Sequence, residues 1–231
     1  MKKAELEIIK EGKTGHGILI ENDGYMYAKN NQTMNESLAN GEWHVPYPFV
    51  VDCVLQKFGI KNANGRIYPE EVLKKQVEIY QQKINERRAL GELNHPAEST
   101  IDLGRIAINI IELHWEGRTL VGKLEINTSH GFRKYGIVTT RGDEMANLLM
   151  NGYKIGVSSR GVGSVEQKLG QYVVGNDFEL ICWDVVSDPS TPGAFIGQPE
   201  ELQQYVEQHT TKDEKPTLNE KINKIKNILK S

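Results

Sequence analysis

The sequence predicts a mixed α+β protein that is mostly antiparallel sheet with a few helices around it. Apolar stretches rich in β-branched residues cover 48–56, 101–126, 153–164 and 171–187, and turn residues separate them. Such stretches are typical of strands joined by hairpins. After the first of them, apolar residues recur at three- and four-residue steps, which predicts one long helix.

The N-terminal part, residues 1–47, is predicted to be a separate segment. Two apolar stretches within 15–28 flank the Asn-Asp-Gly at 22–24, and this arrangement predicts a β-hairpin. Residues 30–44 are polar and predict a loop. A buried strand is expected at 48–56, where the main domain begins.

The clearest helix is predicted to begin at Pro69, because proline suits the first helical position. Glu70 and Glu71 fall in its first turn, where negative charge is favourable to the helix dipole. We expect the helix to end near Arg88. Its apolar face would consist of Val72, Leu73, Val77, Tyr80 and Ile84.

A hairpin and a short helix are predicted next. RIAINIIELHW and TLVGKLEI lie on either side of a turn at 116–118 that contains a glycine. Residues 143–151 have helical spacing, with Asp143 as the expected cap and Gly152 as the residue that closes the helix. Two further strands should follow, at 153–164 and 171–187.

Residues 199–231 are predicted to form a helical tail behind a main domain at 48–198. A helix at 199–209 would be followed by a polar linker at 210–216. An amphipathic stripe of this kind is typical of a helix that docks on a partner or on the chain's own surface. The residues of the stripe are Leu218, Ile222, Ile225 and Leu229.

Composition narrows the class of partner. The chain has 231 residues and a net charge of −3, so no basic excess is available for nucleic acid. No run of about 18 apolar residues occurs, so no membrane span is expected. Two lysines near the N-terminus are not followed by an apolar stretch, and no secretory signal is expected.

Cys53 and Cys182 are far apart and are expected to be buried free thiols in a reducing compartment. A catalytic Cys182 would need a nearby histidine and an exposed setting. Most histidines show no metal-ligand spacing, and no glycine-rich loop precedes a helix, so neither a metal nor another cofactor is expected. These histidines are His16, His44, His114, His130 and His209.

Three segments carry residues suited to hydrolysis. The proline after His95 keeps this histidine out of helical geometry, and glycines flank the adjacent Ser158 and Ser159. Asp184 lies within an apolar strand, where a carboxylate needs a partner such as a histidine N–H. The residues alone also allow structural roles without catalysis. His95 could be an ordinary loop residue, the two serines could lie on a bent edge strand, and Asp184 could face solvent or bind an arginine.

Three motifs occur in order over roughly 60–195: NANGRIYP followed by a helix, then GELNHP, then GVSSRG. Together they resemble the prohead core proteases of large tailed phages, a group related in fold to herpesvirus assemblin. The resemblance implies an assemblin-like α+β fold with a mostly antiparallel, β-barrel-like core and surrounding helices. It also implies that His95 of GELNHP is the catalytic histidine and that Ser158 of GVSSRG is the nucleophile.

The resemblance assigns further roles with less sequence detail. Asp184 takes the third position of the triad, with Asp102 and Glu92 as fallback candidates. Ser159 competes with Ser158 as nucleophile, although neighbouring residues of a strand point to opposite faces. Backbone N–H groups of residues 159–161 would bind the oxyanion, and Arg160 and Gly161 would support that part of the chain.

The activity implied by the resemblance is that of a serine endopeptidase of phage prohead maturation. It would cut scaffold or core proteins, the major capsid protein and itself, inside the prohead in the host bacterial cytoplasm. A homo-oligomer remains open. Family sites have glutamate before the cut and Leu or Ile two residues earlier, which fits 9–11 and 218–220 in stretches expected to be flexible.

Other functions remain open alongside the protease. One is a catalytically inactive capsid- or scaffold-associated binding protein of the same fold. Another is an esterase that uses the same serine and histidine, and a third is a plain β-rich binding module. The protease predicts a peptide cut that depends on Ser158, whereas the binding readings predict no such cut.

Overall fold

The computed structural model describes most of the chain up to residue 187. The described residues are 6–10, 12–27, 43–153 and 155–187, with the backbone alone at 22–27. Contacts divide the chain into Met1–Gly197 and Gln198–Ser231, and all described residues belong to the first unit. The helices predicted at 199–209 and 218–229 lie outside the described residues.

The described strands form one sheet with the order β3-β8-β7-β1-β2-β6-β5-β4, and β9 also pairs with β7. All pairs are antiparallel except β3 with β8, which confirms the predicted mixed α+β class with mostly antiparallel pairing. The strands are β1 (Gly15–Tyr27), β2 (Phe49–Lys57), β3 (Arg66–Ile67), β4 (Leu90–Glu92), β5 (Ile106–Glu116), β6 (Thr119–Ile126), β7 (Gly156–Lys168), β8 (Gln171–Val174) and β9 (Glu179–Val186).

Strand β4 lies at one end of the strand path and meets β9, which branches from β7. Their backbones join at an isolated parallel bridge between Leu93 and Val185. The Asn94 amide also donates to the Val185 carbonyl, at 2.8 Å. Because no ladder joins β4 to β9 in the part of the chain that the structure describes, the sheet does not close, and the predicted barrel-like core is not confirmed.

Within the described residues, three α-helices flank the sheet: α1 (Glu70–Asn85), α2 (His130–Tyr135) and α3 (Arg141–Met150). Helix α1 begins one residue after the predicted position, because Pro69 is its N-cap residue. Its predicted apolar residues are all buried. Helix α2 was not predicted, since six residues are too few for a periodic pattern.

The predicted cap of α3 is wrong by three residues. Thr140 is the N-cap residue, and its side chain accepts a hydrogen bond from the Asp143 amide. The Asp143 carboxylate returns the interaction by accepting from the Thr140 amide, which completes a capping box. Asp143 therefore stabilises the start of the helix from its third position.

The predicted hairpin at 22–24 is not formed. Strand β1 continues through these residues, with a register shift between Glu21, which pairs with Ser159, and Gly24, which pairs with Val157. Two residues of β1 therefore oppose the single residue Ser158, and this is a β-bulge. The bulge accommodates the Asn-Asp-Gly without reversing the chain. Strand β1 therefore continues as one strand between β7 and β2.

The NANGRIYP motif surrounds the buried carboxylate of Glu21. Four side chains at alternate positions of the motif donate to it: Asn62 at 2.6 Å, Asn64 at 2.8 Å, Arg66 at 2.5 Å and Tyr68 at 2.8 Å. A buried carboxylate requires such partners, because it has lost its hydration. The motif thus attaches the loop before α1 to β1, beside the strand that carries Ser158.

Residues 7–9 pair with β1. The Ile9 amide donates to the Ile18 carbonyl and the Ile18 amide donates to the Glu7 carbonyl, both at 2.9 Å. The Arg66 guanidinium donates to the Ile9 carbonyl. The described part of the first predicted cleavage stretch is therefore held against the sheet, in contrast to the expected flexible segment.

We predict that Glu21→Gln lowers the free energy of unfolding by about 3–5 kcal/mol, because it leaves the buried Arg66 guanidinium without its anion. Urea unfolding followed by circular dichroism measures this change. Glu112→Gln is the matched control, since the side chains of Glu112 and its partner Lys123 are each about half exposed, and its loss should be clearly smaller. Equal losses in the two variants would contradict the prediction.

Candidate active site

The pairing of β7 with β9 determines which of the two serines lies beside Asp184. Ser158 pairs with Asp184, and Ser159 pairs with Trp183. Because directly paired residues share a face of the sheet, Ser158 lies beside Asp184 and Ser159 lies on the opposite face. The Ser159 hydroxyl is buried and finds no hydrogen-bond partner among the described residues.

His95 lies just beyond the end of β4 and contacts both residues of this pair. Its Nδ1 is 2.9 Å from Asp184 Oδ2, and its Nε2 is in hydrogen-bond contact with Ser158 Oγ. The imidazole is 11% exposed, whereas Ser158 and Asp184 are fully buried. With the proton on Nδ1, the ring donates to the carboxylate and accepts from the hydroxyl, as a general base requires.

The Asp184 carboxylate is held in its ionised form. Burial raises its pKa, but the hydrogen bond to His95, the positive charge of Arg160 and the amide of Glu92 together keep the pKa below its ordinary value. The Glu92 amide donates to Oδ1 at 2.9 Å, and the Arg160 Nε lies 2.9 Å from Oδ2. An ionised carboxylate at this position can stabilise an imidazolium.

Arg160 lies at the centre of a buried ion cluster, which we define as Arg160, Asp184 and Glu92. Its Nη2 donates to Glu92 Oε1 at 2.9 Å. Its Nη1 donates to the carbonyls of Glu98 and Thr100, at 2.7 Å and 3.3 Å. Burial lowers the pKa of the guanidinium, but nearby acidic groups outweigh it and raise the pKa above its ordinary value. Arg160 thereby links the acid to the loop that follows His95.

The two fallback acids organise this loop. Glu92 Oε1 accepts from the Asp102 amide at 2.9 Å, and Asp102 caps a short 3₁₀ helix (Leu103–Arg105) by accepting from the Gly104 amide. Neither acid has a hydrogen bond to His95 among those of the described residues. Asp184 is therefore the acid that the structure brings to the imidazole.

Residues 159–161 lie within the paired part of β7. This strand pairs with β1 on one edge and with β9 on the other over these residues, so their amides face sheet partners. A Cβ added at Gly161 would lie 2.3 Å from the Phe178 ring, which accounts for the glycine by packing. This placement does not favour the oxyanion role predicted for these amides.

Cys53 and Cys182 are buried free thiols, as predicted. The Cys182 thiol donates to Asp184 Oδ1 at 3.3 Å and accepts from Arg160 Nη2 at 3.2 Å. Burial and the Asp184 charge raise its pKa well above the ordinary value. A neutral, enclosed thiol of this kind is unsuited to nucleophilic attack.

Two features are absent from the described residues. No group of three or more His, Cys, Asp or Glu side chains is placed to hold a metal ion within this part of the chain. No helix within it is long and apolar enough to cross a membrane.

The position of Arg160 was predicted only from the family resemblance. A signal in the residues was available, because Arg160 follows Ser158 by two positions on a strand and must share its face. The carbonyls of Glu98 and Thr100 that it holds could not be identified from sequence, since any residue type has a carbonyl.

The chain is similar to known proteins of one family. A profile of the family described as "Prohead core protein serine protease" matches residues 26–207. The prohead core protein protease of Enterobacteria phage T4 is 33% identical over 150 residues, which are 63% of this chain and 66% of that protein. A solved structure of the bacteriophage T4 capsid assembly protease matches with a TM-score of 0.58 and 25% identity, and the match covers 73% of this chain and 96% of that one.

The lowered pKa of Asp184 predicts a stability that falls in acid. The unfolded chain binds a proton at a higher pH than the folded chain, so the contribution is complete above the ordinary aspartate pKa of about 3.9 and is lost as pH falls through the lower folded value. Urea unfolding of wild type and Asp184→Asn at several pH values measures it. The gap between the two proteins should narrow below a pH of about 4, and a constant gap would contradict the prediction.

Proposed function

Because the chain belongs to the prohead core protein serine protease family, we propose that it is a serine endopeptidase of capsid maturation with Ser158 as nucleophile. His95 is the general base and Asp184 the acid that orients it. The observation that carries the proposal is the continuous contact from Ser158 Oγ through the imidazole to the Asp184 carboxylate. The placement of Ser159 on the opposite face supports the choice between the two serines.

The proposed reaction has two steps. In the first, His95 Nε2 takes the Ser158 proton while Oγ bonds to the substrate carbonyl carbon, and the imidazolium then protonates the leaving amine. In the second, a water attacks the acyl-enzyme, His95 takes a proton from the water, and Ser158 leaves as its hydroxyl. Asp184 holds Nδ1–H throughout and stabilises the positive imidazole.

Arg160, Ser159 and Gly161 enter the proposal as supports of the nucleophile strand. Arg160 neutralises Asp184 and holds the loop after His95 through the carbonyls of Glu98 and Thr100. Gly161 allows the Phe178 ring to approach β7, and Ser159 occupies the buried face beside Trp183. These contacts fix the backbone of β7 next to Ser158, and the Ser159 hydroxyl itself takes no part in them.

The substrates proposed are scaffold or core proteins, the major capsid protein and the chain itself. The family match and the resemblance to the T4 protease support this set. The reaction would take place inside the prohead, in the cytoplasm of the host bacterium. A homo-oligomer is compatible with the proposal, and neither a cofactor nor nucleic acid has a part in it.

The proposal retains an assemblin-like arrangement and a division into an N-terminal segment (1–47), a protease core (48–198) and a tail (199–231). Strand β1 belongs to the first part and lies within the sheet of the second. The tail would dock on scaffold and then be trimmed. A tail-truncated protein that enters proheads normally would contradict the docking role.

The main alternative is an inactive binding protein of the same fold. A binding function does not require a histidine that contacts both a serine and an ionised aspartate, as His95 does here. An esterase would keep the same three residues, and a peptide substrate is needed to distinguish it from a protease.

We predict that Ser158→Ala abolishes peptide cleavage and that Ser159→Ala leaves it nearly unchanged, because the side chain of Ser159 points away from His95. Intact-mass spectrometry of wild type and both variants, each incubated with and without a scaffold protein, measures fragment formation. Fragments from Ser158→Ala would refute the assignment of the nucleophile. Intact chains in all incubations would favour the inactive binding protein.

Self-cleavage is proposed after Glu11 and after Glu220. Lys10 and Gly12, on either side of Glu11, are both exposed. Because residues 7–9 remain paired with β1, we expect the released N-terminal peptide to appear under denaturing conditions and to stay bound under native ones. Mass spectrometry in both conditions tests this, and two intact termini after long incubation of active protein would contradict it.

A further inference from the structure

Asn94, the residue before His95, has an unusual backbone. Its φ is +67°, in the left-handed region that side chains other than glycine seldom adopt. In the described residues, Arg87 and Leu169 are the other residues with a positive φ that are not glycine. Asparagine is among the residues that tolerate this region best.

The chain has to rotate between Glu92 and His95. Along an extended strand, alternate side chains point to opposite faces. The side chain of Glu92 points to the face of the ion cluster, where it accepts from Arg160. An extended backbone through residues 93 and 94 would therefore direct the side chain of His95 to the other face. His95 nevertheless contacts Asp184. The left-handed conformation of Asn94 supplies the rotation that brings both residues to the same face.

Hydrogen bonds fix this rotation against the strand that carries the acid. The Glu92 amide donates to Asp184 Oδ1 at 2.9 Å, and the Asn94 amide donates to the carbonyl of the next residue, Val185, at 2.8 Å. The Leu93 amide is held from the other side by the Arg105 carbonyl at 2.9 Å. The backbone just before His95 is therefore attached to the two residues that determine where the carboxylate lies.

The side chain of Asn94 makes no hydrogen bond within the described part of the chain, and it is exposed beside a cavity of about 240 Å³. The amide group is therefore not the feature that the site requires. What matters is a residue that accepts a positive φ, and this is a property that glycine shares.

We propose that Asn94 is a positioning residue of the proteolytic reaction, which acts through its left-handed backbone to bring His95 onto Asp184 and Ser158. The inference rests on the proposed function for its catalytic consequence. Its geometric consequence, the hydrogen bond between His95 Nδ1 and Asp184, can be measured without substrate.

The experiment compares Asn94→Gly, Asn94→Val and Leu169→Val in the full chain. Leu169 has a φ of +50° and lies fully exposed in the turn after β7, so its valine variant imposes similar backbone strain away from the site. Activity is measured on a peptide that carries Ile-Lys-Glu before the cut. Asn94→Gly should keep kcat within about twofold of wild type. Asn94→Val should lower kcat roughly 100-fold with little change in KM, and Leu169→Val should leave kcat unchanged.

Proton NMR of the histidine-labelled proteins tests the positioning role of Asn94 separately from the proposed proteolytic function. The downfield Nδ1 proton of His95 should be present in wild type, Asn94→Gly and Leu169→Val, and lost or shifted in Asn94→Val. Absence of peptide cleavage by wild type would count against the proposed function and leave this NMR pattern as the test of Asn94. If Asn94→Val fails to fold, Asn94→Ala provides a milder strain with the same expected direction. A wild-type resonance and kcat in the folded Asn94 variant, or equal losses in Leu169→Val, would overturn the inference.

Discussion

The ion pair between Arg160 and Asp184 is the interaction on which the site depends. Both side chains are fully buried, so each has lost its hydration and depends on the other for charge compensation. Glu92 supplies a second carboxylate to the same guanidinium. Because these three residues come from β7, β9 and β4, the requirement for charge balance joins three separate parts of the chain around one point.

The site forms where β4 and β9 approach each other without pairing in a ladder. A continuous ladder would occupy the backbone groups of both strands. With an isolated bridge at Leu93, the chain is free to leave the strand at Asn94 and place His95 over the sheet. The loop that follows is held by Arg160 through two carbonyls. His95 therefore lies outside the strand, but the backbone is held on both sides of it, by the bridge at Leu93 and by Arg160.

Much of this arrangement was predictable from local pattern. The face-sharing of Ser158 and Arg160 follows from strand periodicity, and α1 follows from the spacing of its apolar residues. Long-range partners did not follow in the same way. The convergence of four side chains of NANGRIYP on Glu21 depends on a strand about forty residues earlier in the chain, and nothing in the local sequence identifies it. The Asn-Asp-Gly of β1 was misread as a turn, because a bulge and a hairpin favour the same residues.

The central position of β1 has a consequence for the order in which contacts can form during synthesis. This strand leaves the ribosome early, but one edge of it remains unpaired until β7 is made, since Gly15 pairs with Val165. The carboxylate of Asp184, which contacts His95, is made later still, because the two residues are separated by 89 positions. A nascent chain therefore cannot form the contact between His95 and Asp184 until β9 has emerged, so this contact is among the last that the described part of the chain can make.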